Sequence, residues 1–426
     1  MSIEVAARPE TAAYRVERSV LNGRVEVSGA KNSVLRLLAA SLLTPEPLTI
    51  QNFPTSLLDG RIHIGMLEKL GKQCEVDEAA GSVTITESDA ITSTLEWDDR
   101  SIRNTLLILG ALVSRTGHGA VPLPGGCNLG DRKYDLHVML LEALGARVWQ
   151  DGKMLCAEAP NGLKGAEIHL PIRSTGATEN AIISGSLATG TTRVWNPHIR
   201  PEILDLIAML RSMGASIEVF GQEHIKIEGV GALGGTRHTA IADNMEAITW
   251  LIASVITGGD VEIVGFPSEH LEVPLIHLRE SGADFFIGEN SVIVRGGRPL
   301  PVEISTGPYP GINSDMQPLF AVFGVAANGE SRITDLRFPG RYGYMNELAK
   351  MGAEFSLQEN LLRITGGKKL TGAPVTALDL RAGIALTLAG LTADGTTVVS
   401  ESWQVERGYN DFVAKLQRLG GNISYA

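Results

Sequence analysis

At residues 139–149 the chain reads MLLEALGARVW, an apolar helical stripe, then Gly145, then the start of a β-branched and aromatic run. The same grammar returns as MLEKLGKQCEV at 66–76, AMLRSMGASIEVF at 208–220, IHLRESGADFFIG at 276–288, NELAKMGAEFSL at 346–357 and AKLQRLGGNISYA at 414–426. The marker glycines are Gly71, Gly145, Gly214, Gly282, Gly352 and Gly420, spaced 74, 69, 68, 70 and 68 residues apart. A period near 70 residues is an internal repeat, and it decides the architecture. Each glycine follows the last apolar residue of a helical pattern, where a left-handed cap costs glycine least.

A second helix precedes each marker. Small, apolar stretches at 34–43, 104–113, 179–189, 247–257, 316–327 and 382–392 are apolar nearly all round, which predicts buried helices. Each is followed by a Gly or Pro turn and a β-branched strand, as in residues 179–195 and 382–399. The unit therefore reads helix–strand–helix–strand, with a further strand before the next unit, and alternation of this kind means α/β layers. A unit of this size is too large for a solenoid repeat and too small for a comfortable solo domain. Three and three predict two similar domains with a cleft between them: residues 1–30 with 242–426, and residues 31–241. A duplicated scaffold without any site, of the sliding-clamp kind, is the plain alternative.

Composition narrows the function. The 426 residues are 44% hydrophobic and 20% charged, with a formal charge of -11, the balance of a soluble globular protein. That charge argues against a general nucleic-acid or membrane-surface binder. Three cysteines, Cys74, Cys127 and Cys156, lack metal-ligand spacing and read as cytosolic thiols. The amino-terminal segment has no apolar core of a signal peptide, and the apolar stretches are too short to span a bilayer, so a cytoplasmic location is expected. No phosphate-loop, dinucleotide or metalloprotease motif occurs, and no cofactor or metal is expected. An acidic chain that handles anionic substrates must gather its few cations in one place.

Four constellations can carry such chemistry. Lys31, in Ser28-Gly29-Ala30-Lys31-Asn32, heads the first buried helix, where a cation opposes the helix dipole unless an anion joins it. An ordinary solvated lysine is the bland reading. The stretch VPLPGGCNLGDRKYDLH at 121–137 puts Cys127 on a glycine-rich loop with Asp131, Arg132 and Lys133 close behind, a setting that can tune a thiol as acid or nucleophile. Arg103, Arg341, Arg381 and Arg407 stand at element junctions, where a guanidinium grips phosphate or carboxylate with two bonds, although a lone arginine is more often a surface ion-pair partner. Asp315, in Asn313-Ser314-Asp315-Met316, is either a helix cap or a base aimed at a substrate.

Taken in order, SGAKN at 28–32, LPGGCNLGDR at 123–132, STGATEN at 174–180, SDMQ at 314–317, DLRA at 379–382 and ERGY at 406–409 resemble the UDP-N-acetylglucosamine enolpyruvyl transferase (1-carboxyvinyltransferase) family over nearly the whole chain. The resemblance implies two domains of three βαβαββ units, an inside-out α/β barrel with an interdomain cleft, which agrees with the six repeats. It implies phosphoenolpyruvate and a nucleotide-type acceptor as partners. Lys31, Arg132 and Arg407 would hold the phosphate and carboxylate of phosphoenolpyruvate, with Arg103 and Arg381 nearby. Cys127 would protonate or capture the enolpyruvate and be the target of fosfomycin-type epoxides, and Asp315 would take the proton from the attacking hydroxyl. Asn32 and the turn Ser174-Thr175-Gly176 would touch the acceptor, Phe338 and Arg341 would line the cleft, and Asp135 and His137 complete the substrate-binding set. Such chemistry needs an acid, a base, a nest of cations and exclusion of water, which a glycine-rich lid supplies.

The departures from the family pattern gather on the acceptor side. Lys133 and Tyr134 follow the loop arginine where proline is usual, and Asp243-Asn244-Met245-Glu246 lacks an arginine. Arg173, Arg200 and Leu107 replace other residue types. They leave two acceptors in view, UDP-N-acetylglucosamine or a different nucleotide such as UMP in nucleoside natural-product synthesis. The shikimate-pathway relative is disfavoured because its opening motif is missing. A catalytically silent scaffold would not need Lys31, Cys127, Asp315 and Arg407.

Overall fold

The computed structural model describes residues 12–124 and 134–426. Cys127 and Arg132 lie outside the described residues.

The repeat grammar becomes geometry directly. Six helices, Lys31–Ala40, Thr105–Thr116, Thr175–Gly185, Asn244–Thr257, Gln317–Ala326 and Leu380–Gly390, are the apolar set, and their central residues are buried. The second set, Leu58–Lys69, Asp135–Ala143, Pro201–Ser212, Glu272–Glu280, Gly343–Lys350 and Phe412–Arg418, each ends just before a marker glycine. All six marker glycines have positive φ, between 82° and 106°, where a Cβ would crowd the following carbonyl. Several of the buried helices begin earlier than the apolar pattern, at Lys31, Thr175 and Asn244. Their first turns are polar in sequence yet packed inside.

Among the described residues there are six sheets, five of four strands and one of three. Each four-stranded sheet joins two antiparallel pairings to one parallel pairing, and in two of them the parallel strand comes from a remote stretch of chain. Strand Asn22–Glu26 runs parallel to Asp260–Val264, and Thr236–Thr239 runs parallel to Leu48–Gln51. Strand Tyr14–Glu17 lies between Thr396–Ser400 and Asn422–Tyr425, so the first repeat segment closes the last sheet. The three-stranded sheet has its parallel strand reduced to a bridge between Thr94 and Ala120.

The chain divides into two compact units. One holds the segment up to Ser28 together with Ala242–Ala426, and the other is Gly29–Ile241. Each has its own hydrophobic core. The first is built around Trp250, Phe320, Phe323, Leu386 and Tyr14, and the second around Leu37, Leu38, Ile108, Ile182 and Leu206, all shielded from solvent. Each unit contains three sheets, so each is a three-repeat α/β body. No helix among the described residues is long and apolar enough to cross a membrane.

Candidate functional site

In the unit that holds both ends of the described chain, the sequence-predicted residues meet at the heads of two buried helices. Asp315 sits in a single 3-10 turn, Ser314–Met316, whose first N–H groups are capped by Asn313; the Asp315 amide donates to Asn313 Oδ1 at 3.0 Å. Capping is therefore done by Asn313, and the Asp315 carboxylate is released for other partners. Arg341 Nη1 donates to Asp315 Oδ1 at 2.7 Å, and Arg381 Nη2 to Asp315 Oδ2 at 3.4 Å. Asp379 caps the helix Leu380–Gly390 by accepting the amides of Arg381 and Ala382 at 2.7 and 2.9 Å, and it lies 3.8 Å from Arg341 Nη2.

The charges in this cluster hold one another in place. Burial works against the charge of Arg381, but Asp315, then Tyr409 and Asp243, more than offset it and raise its pKa. Arg341 is likewise desolvated, yet Asp315 and Asp379 raise its pKa. Tyr409 stays neutral, its phenol pushed up to about 12 by burial despite Arg381, and its hydroxyl is 2.7 Å from Thr249 Oγ1. Phe338 lies under Arg341, with the guanidinium carbon 5.8 Å from the ring centre. Arg407 is buried and donates to Gln404 Oε1 at 3.1 Å. The next residue, Gly408, lies so close to Leu380 that a Cβ would fall 2.5 Å from its side chain, which fixes the Glu406-Arg407-Gly408-Tyr409 turn against the head of the Arg381 helix.

The other unit presents a different chemistry. Lys31 begins its helix and is buried, and its Nζ is 2.6 Å from Asp59 Oδ2. The anion expected beside this lysine is thus, in the protein alone, Asp59. Asn32 follows in the same turn, half-buried. Ser174 caps the helix Thr175–Gly185, its Oγ accepting from the Ala177 amide at 3.4 Å. Thr175 Oγ1 is 2.8 Å from His198 Nδ1, and the His198 amide donates to Thr178 Oγ1 at 3.0 Å. Gly176 has His137 against it: a Cβ there would fall 3.2 Å from Nε2.

His137 is held neutral. Burial first, and the nearby Arg103 second, lower its pKa to about 3. Asn180 Nδ2 lies 3.0 Å from His137 Nδ1 and also donates to the Leu106 carbonyl at 3.2 Å, which fixes the amide orientation. Nδ1 then accepts, so the ring proton sits on Nε2 beside the helix head. Arg103 lies two residues before the helix Thr105–Thr116 rather than in it, and Asp135 is exposed at the first position of its helix. This arrangement offers N–H groups, hydroxyls and a neutral imidazole around one helix N-terminus, a setting for an anionic or polar ligand.

Sequence reasoning missed Asp59, His198, Asn180, Asn313 and Asp379 as partners. Asp379 and Asn313 had a signal, since Asp and Asn just before a buried helix are favoured caps. It also left Arg36 and Arg200 unassigned. Arg36 binds Glu179 at 2.5 Å, and Arg200 grips Glu202 with two bonds of 2.6 and 2.8 Å. Arg173, by contrast, is half-buried and donates to Asn196 Oδ1 at 3.3 Å. Asn244, where the family pattern has arginine, is buried with its Oδ1 lacking a donor among the described residues. The two described cysteines are unreactive by environment: burial pushes the Cys74 thiol up to about 12 and raises that of Cys156. Among the described residues no group of His, Cys, Asp and Glu could hold a metal ion.

A family model described as EPSP synthase (3-phosphoshikimate 1-carboxyvinyltransferase) matches residues 16–416. UDP-N-acetylglucosamine 1-carboxyvinyltransferase from Caulobacter sp. (strain K31) is 40% identical over 408 residues, covering 95% of this chain and 94% of that protein. UDP-N-acetylglucosamine 1-carboxyvinyltransferase 1 from Carboxydothermus hydrogenoformans is 42% identical over 406 residues, 95% of each. Among solved structures, the enolpyruvyl transferase NikO from Streptomyces tendae superposes with a TM-score of 0.88 at 25% identity, covering 98% of this chain and 99% of that one.

Proposed function

The chain belongs to the enolpyruvyl (1-carboxyvinyl) transferase family, and on that premise we propose that it moves the enolpyruvyl group of phosphoenolpyruvate to the 3-hydroxyl of UDP-N-acetylglucosamine. Inorganic phosphate leaves, and the product is a precursor of peptidoglycan. One structural observation carries the reading: Asp315, freed from capping, is held between Arg341 and Arg381 at the head of a buried helix. Two guanidinium groups favour the ionised carboxylate, which is the form a general base requires.

The step balances with these groups. The acceptor oxygen bonds to C2 of phosphoenolpyruvate as Asp315 takes the hydroxyl proton, while Cys127 delivers a proton to the C3 methylene. Elimination then returns a C3 proton to the Cys127 thiolate and breaks the bond from C2 to the phosphate oxygen, and the phosphate leaves with the proton held by Asp315. Lys31, Arg132 and Arg407 hold the phosphate and carboxylate, with Arg103 and Arg381 nearby, so that charge developing at C2 is balanced by positioned cations. Asn32, Asp135, His137 and the Ser174-Thr175-Gly176 turn hold the acceptor, with Phe338 and Arg341 beside the reacting groups. A neutral His137 with its proton on Nε2 suits a hydrogen bond to an uncharged acceptor group.

A second reading keeps the reaction and changes the acceptor to a free nucleotide such as UMP. Its support is the set of acceptor-side departures, with the unpartnered Asn244 oxygen among them. Identity of 40–42% over 95% of the chain to enzymes named for UDP-N-acetylglucosamine favours the first. Phosphate release from phosphoenolpyruvate decides between them. Release with UDP-N-acetylglucosamine and none with UMP is expected; release with UMP alone supports the second reading.

A further inference from the structure

Asp335 is completely shielded from solvent and belongs to no motif of the sequence. Its two carboxylate oxygens face different parts of the same unit. Oδ1 accepts the Arg337 and Phe338 amides, each at 2.9 Å, and the Thr306 hydroxyl at 2.9 Å. Oδ2 accepts the Ser314 hydroxyl at 2.5 Å. Thr306 Oγ1 in turn accepts the Leu336 amide at 3.0 Å. The Asp335 backbone is held as well: its N–H donates to Tyr342 OH at 2.7 Å, and Asn360 Nδ2 donates to its carbonyl.

Those bonds have a common destination. Ser314 is the residue before Asp315, in the same 3-10 turn. The Arg337 and Phe338 amides open the turn that carries Arg341, whose amide donates to the Phe338 carbonyl at 3.1 Å. Asp315 and Arg341 then meet at 2.7 Å in front. A single buried carboxylate thus grips, from behind, the Ser314 side chain next to Asp315 and the backbone of the turn that carries Arg341. Burying a carboxylate is costly unless it is fully hydrogen-bonded, and here four donors reach it. An ordinary turn needs only the two amides; the Ser314 bond is the one that ties the turn to Asp315.

We infer that Asp335 is a positioning residue for the reaction, clamping the Asp315 turn through Ser314 and the Arg341 turn through its amides so that the carboxylate and guanidinium stay in register. The inference rests on the reading of Asp315 as general base. Among the described residues, charged groups facing Asp315 include Arg341 and Arg381, with Asp379 behind Arg341 and Asp243 beside Arg381. Loosening the clamp lets Asp315 drift from Arg341, weakens the attraction that keeps it ionised, and moves the acid limb of kcat toward neutral pH.

Ser314→Ala removes only the Oδ2 bond. Its matched control is Ser331→Ala, another fully buried serine of the same unit, whose Oγ accepts the Val302 amide at 3.1 Å. With the full-length enzyme, S314A is expected to lower kcat on the order of tenfold, with KM for phosphoenolpyruvate within about twofold and the acid limb shifted up by roughly half a unit. D335N, which turns the Oδ2 acceptor into a donor, is expected to shift the limb the same way. S331A should lower Tm without moving the limb. Equal limbs for S314A, S331A and the unmodified enzyme overturn the clamp. Asp315→Asn separates the two ideas: if D315N keeps its rate, the base reading fails; if D315N is inactive while S314A behaves as S331A, only the clamp fails.

Discussion

Two regions of this molecule treat charge in opposite ways. Around Asp315, buried arginines and carboxylates are interleaved, and Asp315, Asp379 and Asp243 hold the charge on Arg341 and Arg381 against burial. Around the head of the helix Thr175–Gly185, hydroxyls and rings take the place of interleaved ion pairs: a serine cap, Thr175 bonded to His198, and His137 held uncharged by burial and Arg103. Both use helix N-termini from the same repeat position. What differs is the first polar turn, and with it the task. An ion-pair cluster moves protons and stabilises charge; a cradle of neutral donors recognises shape and hydrogen-bonding pattern.

If that division is right, substitutions in the two regions fail in different ways. The largest effect is expected at Asp315. D315N should lower kcat by about 10²–10⁴, the usual cost of losing a positioned acid or base. KM for phosphoenolpyruvate should change little, and steady-state kinetics at a single pH reads both.

A second effect is on stability in acid. His63, fully buried in the helix Leu58–Lys69 with both ring nitrogens lacking partners among the described residues, has its pKa lowered to about 3 by burial first and by Arg36 second. Its folded pKa lies below the unfolded value, so the unfolded chain takes up the proton first. Stability is therefore full above about pH 6.5 and lost as pH falls toward 3. At pH 5 the loss from one such histidine is about 2 kcal/mol. His63→Leu should flatten the slope of unfolding free energy against pH in that window. Equal slopes in denaturant titrations would remove His63 from the account. His137 adds a loss of the same sign in the same window.

Smaller still is the effect of Thr175→Val, which deletes the bond to His198. KM for the acceptor should rise about fivefold, the worth of roughly 1 kcal/mol, with kcat nearly unchanged. A drop in kcat with constant KM would place Thr175 with the charged cluster instead. The effect closest to zero is expected at the described thiols. With an epoxide or maleimide near neutral pH, Cys127 should be labelled while Cys74 and Cys156 stay unmodified. Peptide mapping that finds Cys74 modified in the folded enzyme would contradict its burial.

The repeats were legible because they are periodic. Six marker glycines and six apolar helices announce two sets of three α/β units, and all six glycines take the left-handed conformation their position suggested. Strand exchange was harder to read. That Tyr14–Glu17 would close a sheet with residues 396–400 and 422–425 depends on contacts across nearly the whole chain. The apolar pattern set helix beginnings too late at Thr175 and Asn244, for an instructive reason. Polar residues at the head of a buried helix look like loop by hydropathy, yet these turns are helical and packed. Asp315 showed an ambiguity between cap and base, and the geometry gives the cap to Asn313. Asp59, His198 and Asp335 carried no local signal, because each acts through a partner more than 20 residues away.

The account's central claim is chemical, and the product tests it most directly. Enzyme given phosphoenolpyruvate and UDP-N-acetylglucosamine should yield, by NMR, a vinyl ether on the sugar 3-oxygen with one phosphate released per ether formed. Phosphate released with free pyruvate and no ether, or an ether on the ribose of the nucleotide, would contradict it.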